Sequence, residues 1–197
     1  MSTNRQSDHP IHPQFLERWS PRAFTDTAVT EAEVLTVLEA ARWAPSASNL
    51  QPWRFIYALK GTPEFDAFVE ALVPFNQAWA KNAGALIFAT SVRTFDGERP
   101  AAWHSFDTGA ATAYLALQAH HLGLAAHGMG GFNADKAADI LGLPATLKVE
   151  AAIALGHPGA AESLPDGYRE REVPSTRQPL SEMAFKGRYP AKQAEAA

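Results

Sequence analysis

Apolar positions along the chain alternate between helical and strand spacing, and the switches mark the elements. Thr30 and Glu33 form a capping box ahead of Val34, Leu35, Leu38 and Ala41, which predicts a helix ending near Trp43. Residues 53–59 (WRFIYAL) are aromatic and β-prone and predict a strand. Gly61 turns the chain, and Thr62-Pro63 starts a further helix reaching about Leu72. Residues 73–82, with Phe75 and Trp79, read as irregular. Residues 83–91 (AGALIFATS) form a continuous apolar run of strand length, as in a strand buried on both faces, and 93–100 read as a polar loop. Residues 104–122 predict the longest helix, ended by Gly123 and apolar almost all round, so it is expected to be buried. Its Gly109, Ala110, Ala113 and Ala116 suit close approach of another helix, in the core or at a subunit interface. A short strand at 124–127, a glycine turn at 128–132, an Asn133-capped helix at 134–141 and a strand at 147–156 complete the pattern. The expected fold class is α+β, a helix-covered central sheet.

The flanks differ from this middle. Residues 1–13 are polar, hold two of the chain's prolines and read as a flexible arm, followed by a short helix at 14–18. Residues 158–197 are charged and proline-rich with few apolar groups, so this extension is expected to wrap another surface; residues 14–157 form the domain. Cys is absent, which excludes disulfides and thiolate chemistry. A net charge of -4, with no basic patch expected, gives no general attraction to nucleic acid or anionic membrane. With no apolar leader and no long apolar span, the expectation is a cytoplasmic protein.

Three stretches carry candidate chemistry. Residues 44–55 (APSASNLQPWRF) hold Ser46, Ser48, Asn49 and Gln51 between Pro45 and Pro52, with Gln51 expected to be extended because a proline follows it. Neutral hydroxyl and carboxamide groups that donate and accept suit the imide edge of a flat heterocycle, although the same residues also build an ordinary helix-to-strand turn. Arg18-Trp19-Ser20-Pro21-Arg22 sets two guanidinium forks around a hydroxyl, a combination that grips phosphate. Gly128-Met129-Gly130-Gly131-Phe132 allows close backbone approach to a ligand, but equally makes a tight turn. No His/Cys/carboxylate spacing indicates a metal, and no GxSxG elbow indicates a serine nucleophile. An anion grip, a neutral polar cradle and a glycine turn together suit a cofactor with an anionic tail and a planar polar ring.

These residues also carry a family resemblance. ERWSPRAF at 17–24 resembles the RRSxRxF opening, and ARWAPSASNLQPWRF at 41–55 resembles the PSxxNxQPW block, of the FMN-dependent nitroreductase family. The helix DTGAATAYLALQAHHLGL at 107–124, the GMGGF turn at 128–132 and Arg177 followed by Pro179-Leu180 agree in order and spacing. The resemblance implies an interlocked homodimer whose C-terminal arm wraps the partner, with two FMN sites across the interface. It implies that Arg18, Trp19, Ser20, Arg22 and Arg177 hold the phosphate end. Pro45, Ser46, Ala47, Asn49 and Gln51 would reach the flavin from the other subunit, and Met129, Gly130 and Gly131 would bring backbone alongside the ring. Many relatives carry a basic residue two before the tail arginine; here that place is Ser175.

The implied reaction is a two-electron ping-pong cycle in which NADH or NADPH gives hydride to FMN N5 and a nitroaromatic, quinone or similar conjugated acceptor takes it, with no catalytic side chain. Candidate walls for the acceptor are Phe75, Trp79, Trp103 and Phe106. Two other readings stand beside it: a specialised flavin enzyme of the same fold, and, as a different class, a protein that stores FMN without turning anything over.

Overall fold

The computed structural model of the protein describes residues 5–190. Four strands form one antiparallel sheet in the order β1 (Trp53–Leu59), β2 (Ala85–Val92), β6 (Leu147–Gly156), β5 (Ala125–Met129). The apolar run of residues 83–91 thus becomes an interior strand, and β2 is buried at every position but its last. Its side chains alternate between two cores. Leu86 and Phe88 pack with α3 (Pro63–Ala71), α4 (Pro74–Ala80) and α6 (Ala134–Ile140) on one face. Ala85, Ile87 and Ala89 pack with α2 (Glu31–Arg42) and α5 (His104–His121) on the other. The result is a sheet with helices on both faces, the architecture its apolar periodicity requires.

Local chemistry sets the helix ends. Thr30 accepts from the Glu33 amide while the Glu33 carboxylate accepts from the Thr30 amide, the reciprocal capping box that starts α2. Thr62 accepts from the Phe65 amide with Pro63 in the first turn of α3, and Gly123, at φ 74°, ends α5.

Four expectations are corrected. Residues 73–82 are not irregular: Pro74 opens α4, which buries Asn76, Trp79 and Ala80. Residues 93–100 hold a small hairpin, β3 (Thr94–Phe95) and β4 (Arg99–Pro100), turning through Asp96 and Gly97, both at positive φ. Gln51 is not extended; its φ is 49°. Helix α5 is buried on one side through Thr108, Ala111, Leu115 and Ala119, but Phe106 and Tyr114 are exposed on the other. Among the described residues no helix is long and apolar enough to cross a membrane.

The segment after β6 first packs on its own chain. Phe24 bridges to Pro158, the Gly159 amide donates to Ala23 O at 2.8 Å, and Leu164 enters the core. Glu172 is its last buried residue, and almost all of 173–190 is exposed.

Candidate functional site

A cleft of about 310 Å³ is lined by Arg5, Arg18, Trp19, Ser20, Arg22, His127, Arg171, Val173, Ser175 and Arg177. Five guanidinium groups meet there, and no acidic side chain lines it among the described residues. The expectation of no basic patch is therefore corrected. The patch is assembled from residues 5, 18–22 and 171–177, and no continuous run of the sequence displays it. In a chain of net charge -4, such a concentration of one sign has an electrostatic cost unless an anion offsets it.

Each arginine is held differently. The arm residue Arg5 donates through Nε to Ser175 O at 2.8 Å and through Nη1 to Leu16 O at 3.0 Å and Arg18 O at 2.8 Å. Arg18 reaches Ser20 Oγ at 3.5 Å. Burial and the charge of Arg177 lower the Arg18 pKa, and burial, Arg177 and Arg18 lower that of Arg5, so these cations repel one another. Arg177 donates to Ser175 Oγ at 3.0 Å and to Thr176 O at 2.9 Å. Among the described residues, Arg22 alone of these arginines has a carboxylate neighbour, with Nη1 3.8 Å from Glu172 Oε2, and its buried Nε has no partner. Glu172 Oε1 accepts from the Arg22 amide at 2.6 Å and the Ala23 amide at 2.8 Å, which fixes the strand-like segment presenting Arg22.

His127 closes the inner wall. Its Nδ1 meets Pro21 O at 2.9 Å, and its ring lies 4.6 Å from the Trp79 ring. Burial pushes its pKa below the ordinary value, with the Arg22 charge adding to the shift, while hydrogen bonds to Pro21 and Ser20 carbonyls and the Glu172 charge oppose it. The sequence reading missed Arg5, His127 and Arg171. All three are distant in sequence from the arginine motif, and no spacing signal joins them to it.

The second candidate stretch is the residue 44–52 loop. Ala47–Asn49 form a single 3₁₀ turn, and Ser48, Asn49 and Gln51 have φ of 52°, 55° and 49°. Positive φ is rare for Ser and Gln, so this backbone is strained and held by its surroundings. Ser46 Oγ accepts from the Gln51 amide at 3.0 Å, the Gln51 carboxamide donates to Asn49 O at 3.0 Å, and the Ala47 amide donates to Asp107 Oδ2 at 3.1 Å. Asp107 sits in the first turn of α5, so that helix positions the loop.

The start of α5 is itself anchored. Ser91 Oγ lies 2.7 Å from His104 Nδ1 and donates to Glu150 Oε1 at 2.6 Å; Ser105 donates to the same oxygen at 2.6 Å. Burial would raise the Glu150 pKa, but the Ser105, Ser91 and Lys148 hydrogen bonds with the Lys148 charge outweigh it and hold the carboxyl below its ordinary value.

The loop and the arginine cleft rest on opposite ends of α5. The loop rests on Asp107, whereas Glu17, next to Arg18, approaches His120 Nε2 at 3.6 Å. Asp107 and His120 are 13 positions apart on α5, roughly 20 Å at a rise of about 1.5 Å per residue.

The remaining candidates divide. Trp79 is corrected: fully buried in the core, it cannot form an acceptor wall. Trp103 and Phe106 are exposed at 62% and 74% beside the start of α5, and Trp103 shares a recess with Ala47, Leu50 and Phe95. Phe75 is half-exposed, with its ring 4.7 Å from that of Tyr168. The Met129 side chain is buried in the core. A Cβ on Gly131 would lie 2.6 Å from Asn76 Nδ2 and 2.9 Å from Val73 Cγ2, so packing alone requires glycine there. Gly130 has open space where a Cβ would be, leaving its backbone accessible.

The fold has counterparts in known proteins. The nitroreductase family model matches residues 16–64 and 58–157, and the chain belongs to that family. It is similar to a crystal structure described as the oxidoreductase containing FMN, at 50% identity over 96% of this chain and 98% of that one, with a TM-score of 0.92. A nitroreductase family protein from Clostridium difficile 630 is 25% identical over 89% of this chain and 97% of its own, with a TM-score of 0.69. An NADH dehydrogenase of Thermus thermophilus is 29% identical over 191 residues, covering 82% of this chain and 91% of the relative.

Proposed function

We propose that the protein is an FMN-dependent NAD(P)H oxidoreductase that works as a homodimer and reduces nitroaromatic, quinone or similar conjugated acceptors. The observation that carries the reading is the cleft of five arginines without an acidic lining residue, in a fold shared with an oxidoreductase containing FMN. Like charges pressed together and the unpartnered buried Nε of Arg22 fit a phosphate dianion, which arginine forks bind bidentately. Arg18, Ser20, Arg22 and Arg177 hold that phosphate.

The ring needs a different environment, and the residue 44–52 loop supplies it. Ser46, Asn49 and Gln51 present neutral donors and acceptors to a polar ring edge, and the hydrogen bonds within the loop, with the positive φ of Asn49 and Gln51, fix those directions before a ligand arrives. The roughly 20 Å of α5 between loop and arginines is too far for one flavin with its short ribityl chain. A second copy of the chain resolves this, its loop meeting the arginines of the first. The exposed face of α5, with Phe106, Gly109, Ala113 and Tyr114, is the natural contact, and the exposed residues beyond Glu172 wrap the partner. Trp103 and Phe106 wall the acceptor pocket beside the loop, and Gly130 lets the chain pass close to the ring.

Bound FMN supplies the hydride chemistry between nicotinamide and acceptor. The side chains orient it, neutralise its phosphate and place donors where negative charge gathers on the reduced ring; none acts as a nucleophile. The test is steady-state NADH and NADPH oxidation by FMN-loaded protein with menadione or a nitrofuran. Acceptor-dependent turnover is expected. Tight FMN binding with negligible turnover overturns the enzymatic reading in favour of a storage protein.

A further inference from the structure

Arg5 stands apart from the other arginines of the cleft because it comes from the N-terminal arm. Its guanidinium carries five N–H groups, and three of them are committed to the carbonyls of Ser175, Leu16 and Arg18 at 2.8, 3.0 and 2.8 Å. Those bonds join the arm, the end of α1 (Gln14–Glu17) and the tail. The two N–H groups on Nη2 have no partner among the described residues, and Arg5 lines the same cleft as Arg18 and Arg177. A guanidinium cannot shed its charge, so holding one half-buried beside two others is unfavourable without an anion between them. Ser175, the uncharged residue two before Arg177, receives the Arg5 Nε on its carbonyl.

We propose that Arg5 is a ligand-binding residue of the cofactor site, directing Nη2 at the phosphate of FMN so that arm and tail close on it together. The inference rests on the FMN reading above and adds selection to it. Arg5 favours a phosphorylated flavin over riboflavin, because a cation contributes through the phosphomonoester and not through the ring. A purely structural staple would join the same three segments yet have no preference between the two flavins.

The experiment is titration of flavin-free full-length protein with FMN and with riboflavin, followed by quenching of flavin fluorescence, for wild type, Arg5→Gln and Arg5→Lys at low and moderate salt. Arg5→Gln is expected to weaken FMN binding by roughly ten- to a hundredfold, as for a lost hydrogen bond to a charged group. Riboflavin binding is expected to stay unchanged, which also shows that the variant is folded. Arg5→Lys, with charge but no fork, falls between, and the salt dependence of FMN binding becomes shallower in Arg5→Gln. Unchanged FMN affinity in Arg5→Gln, or equal weakening for both flavins, overturns the inference while the FMN reading stands. Wild-type protein that takes up neither flavin overturns the FMN reading itself, and the inference with it.

Discussion

Glu172→Ala is expected to loosen the cofactor cleft from behind without touching its lining. The Glu172 side chain is 3% exposed, and its Oε1 is the acceptor for both the Arg22 amide at 2.6 Å and the Ala23 amide at 2.8 Å. Alanine leaves the buried Ala23 amide and the half-buried Arg22 amide without their charged acceptor, at about 1–3 kcal/mol each, so the loss is roughly 4 kcal/mol. That is a large share of a typical stability of about 5–15 kcal/mol. For a chain of this size it lowers Tm by roughly 8–16 °C. Glu172→Gln keeps an oxygen acceptor for the amides but loses the charge facing Arg22, and is expected to cost less than half as much. Urea unfolding of the three flavin-free proteins measures both differences. A loss below about 1 kcal/mol for Glu172→Ala would refute the reasoning, because it would mean that water or a rearranged tail replaces the carboxylate.

Three further predictions follow from the same geometry. A mixed dimer of one Arg18→Ala and one Asn49→Ala subunit should keep one intact flavin site of two, counted by bound FMN; none would place both residues in one subunit's site. His127, with its pKa held below the ordinary 6.5, takes up a proton less readily in the folded protein than in the unfolded chain, so stability falls as pH drops through 6.5. Urea unfolding of flavin-free protein between neutral and mildly acid pH should show that slope in wild type and a smaller one in His127→Gln; equal slopes would contradict it. Gly131→Ala should destabilise by about 1–3 kcal/mol through overpacking against Asn76 and Val73, whereas Gly130→Ala should leave the thermal melt unchanged and weaken flavin binding, and the reverse pattern would exchange the two roles.

The elements legible in the sequence were those whose signal is local. The Thr30–Glu33 box, the β2 run and the Gly123 stop each depend on residues within a few positions, and α2, β2 and α5 form where these signals place them. Helix α4 escaped because it has seven residues and its one start signal, Pro74, also suits a loop. The hairpin at residues 94–100 was readable from Asp96-Gly97, a pair that tolerates positive φ, but its two-residue strands carry no period. For the site, the motif residues Arg18, Ser20, Arg22 and Arg177 do converge on one cleft. Arg5, Arg171 and His127 join them through tertiary packing, which no spacing encodes. Trp79 shows the opposite failure: an aromatic residue in a polar neighbourhood of the sequence went to the core, because α4 turns its face inward.

The most direct test of the account is the visible absorption spectrum of the purified protein, recorded before and after addition of FMN and then of NADH without oxygen. The account predicts flavin bands near roughly 370 and 450 nm that persist through gel filtration and bleach with NADH, as expected when the protein positions a flavin for hydride chemistry. Protein that retains no flavin after reconstitution would contradict it, and would return the arginine cleft to an anion site of another kind.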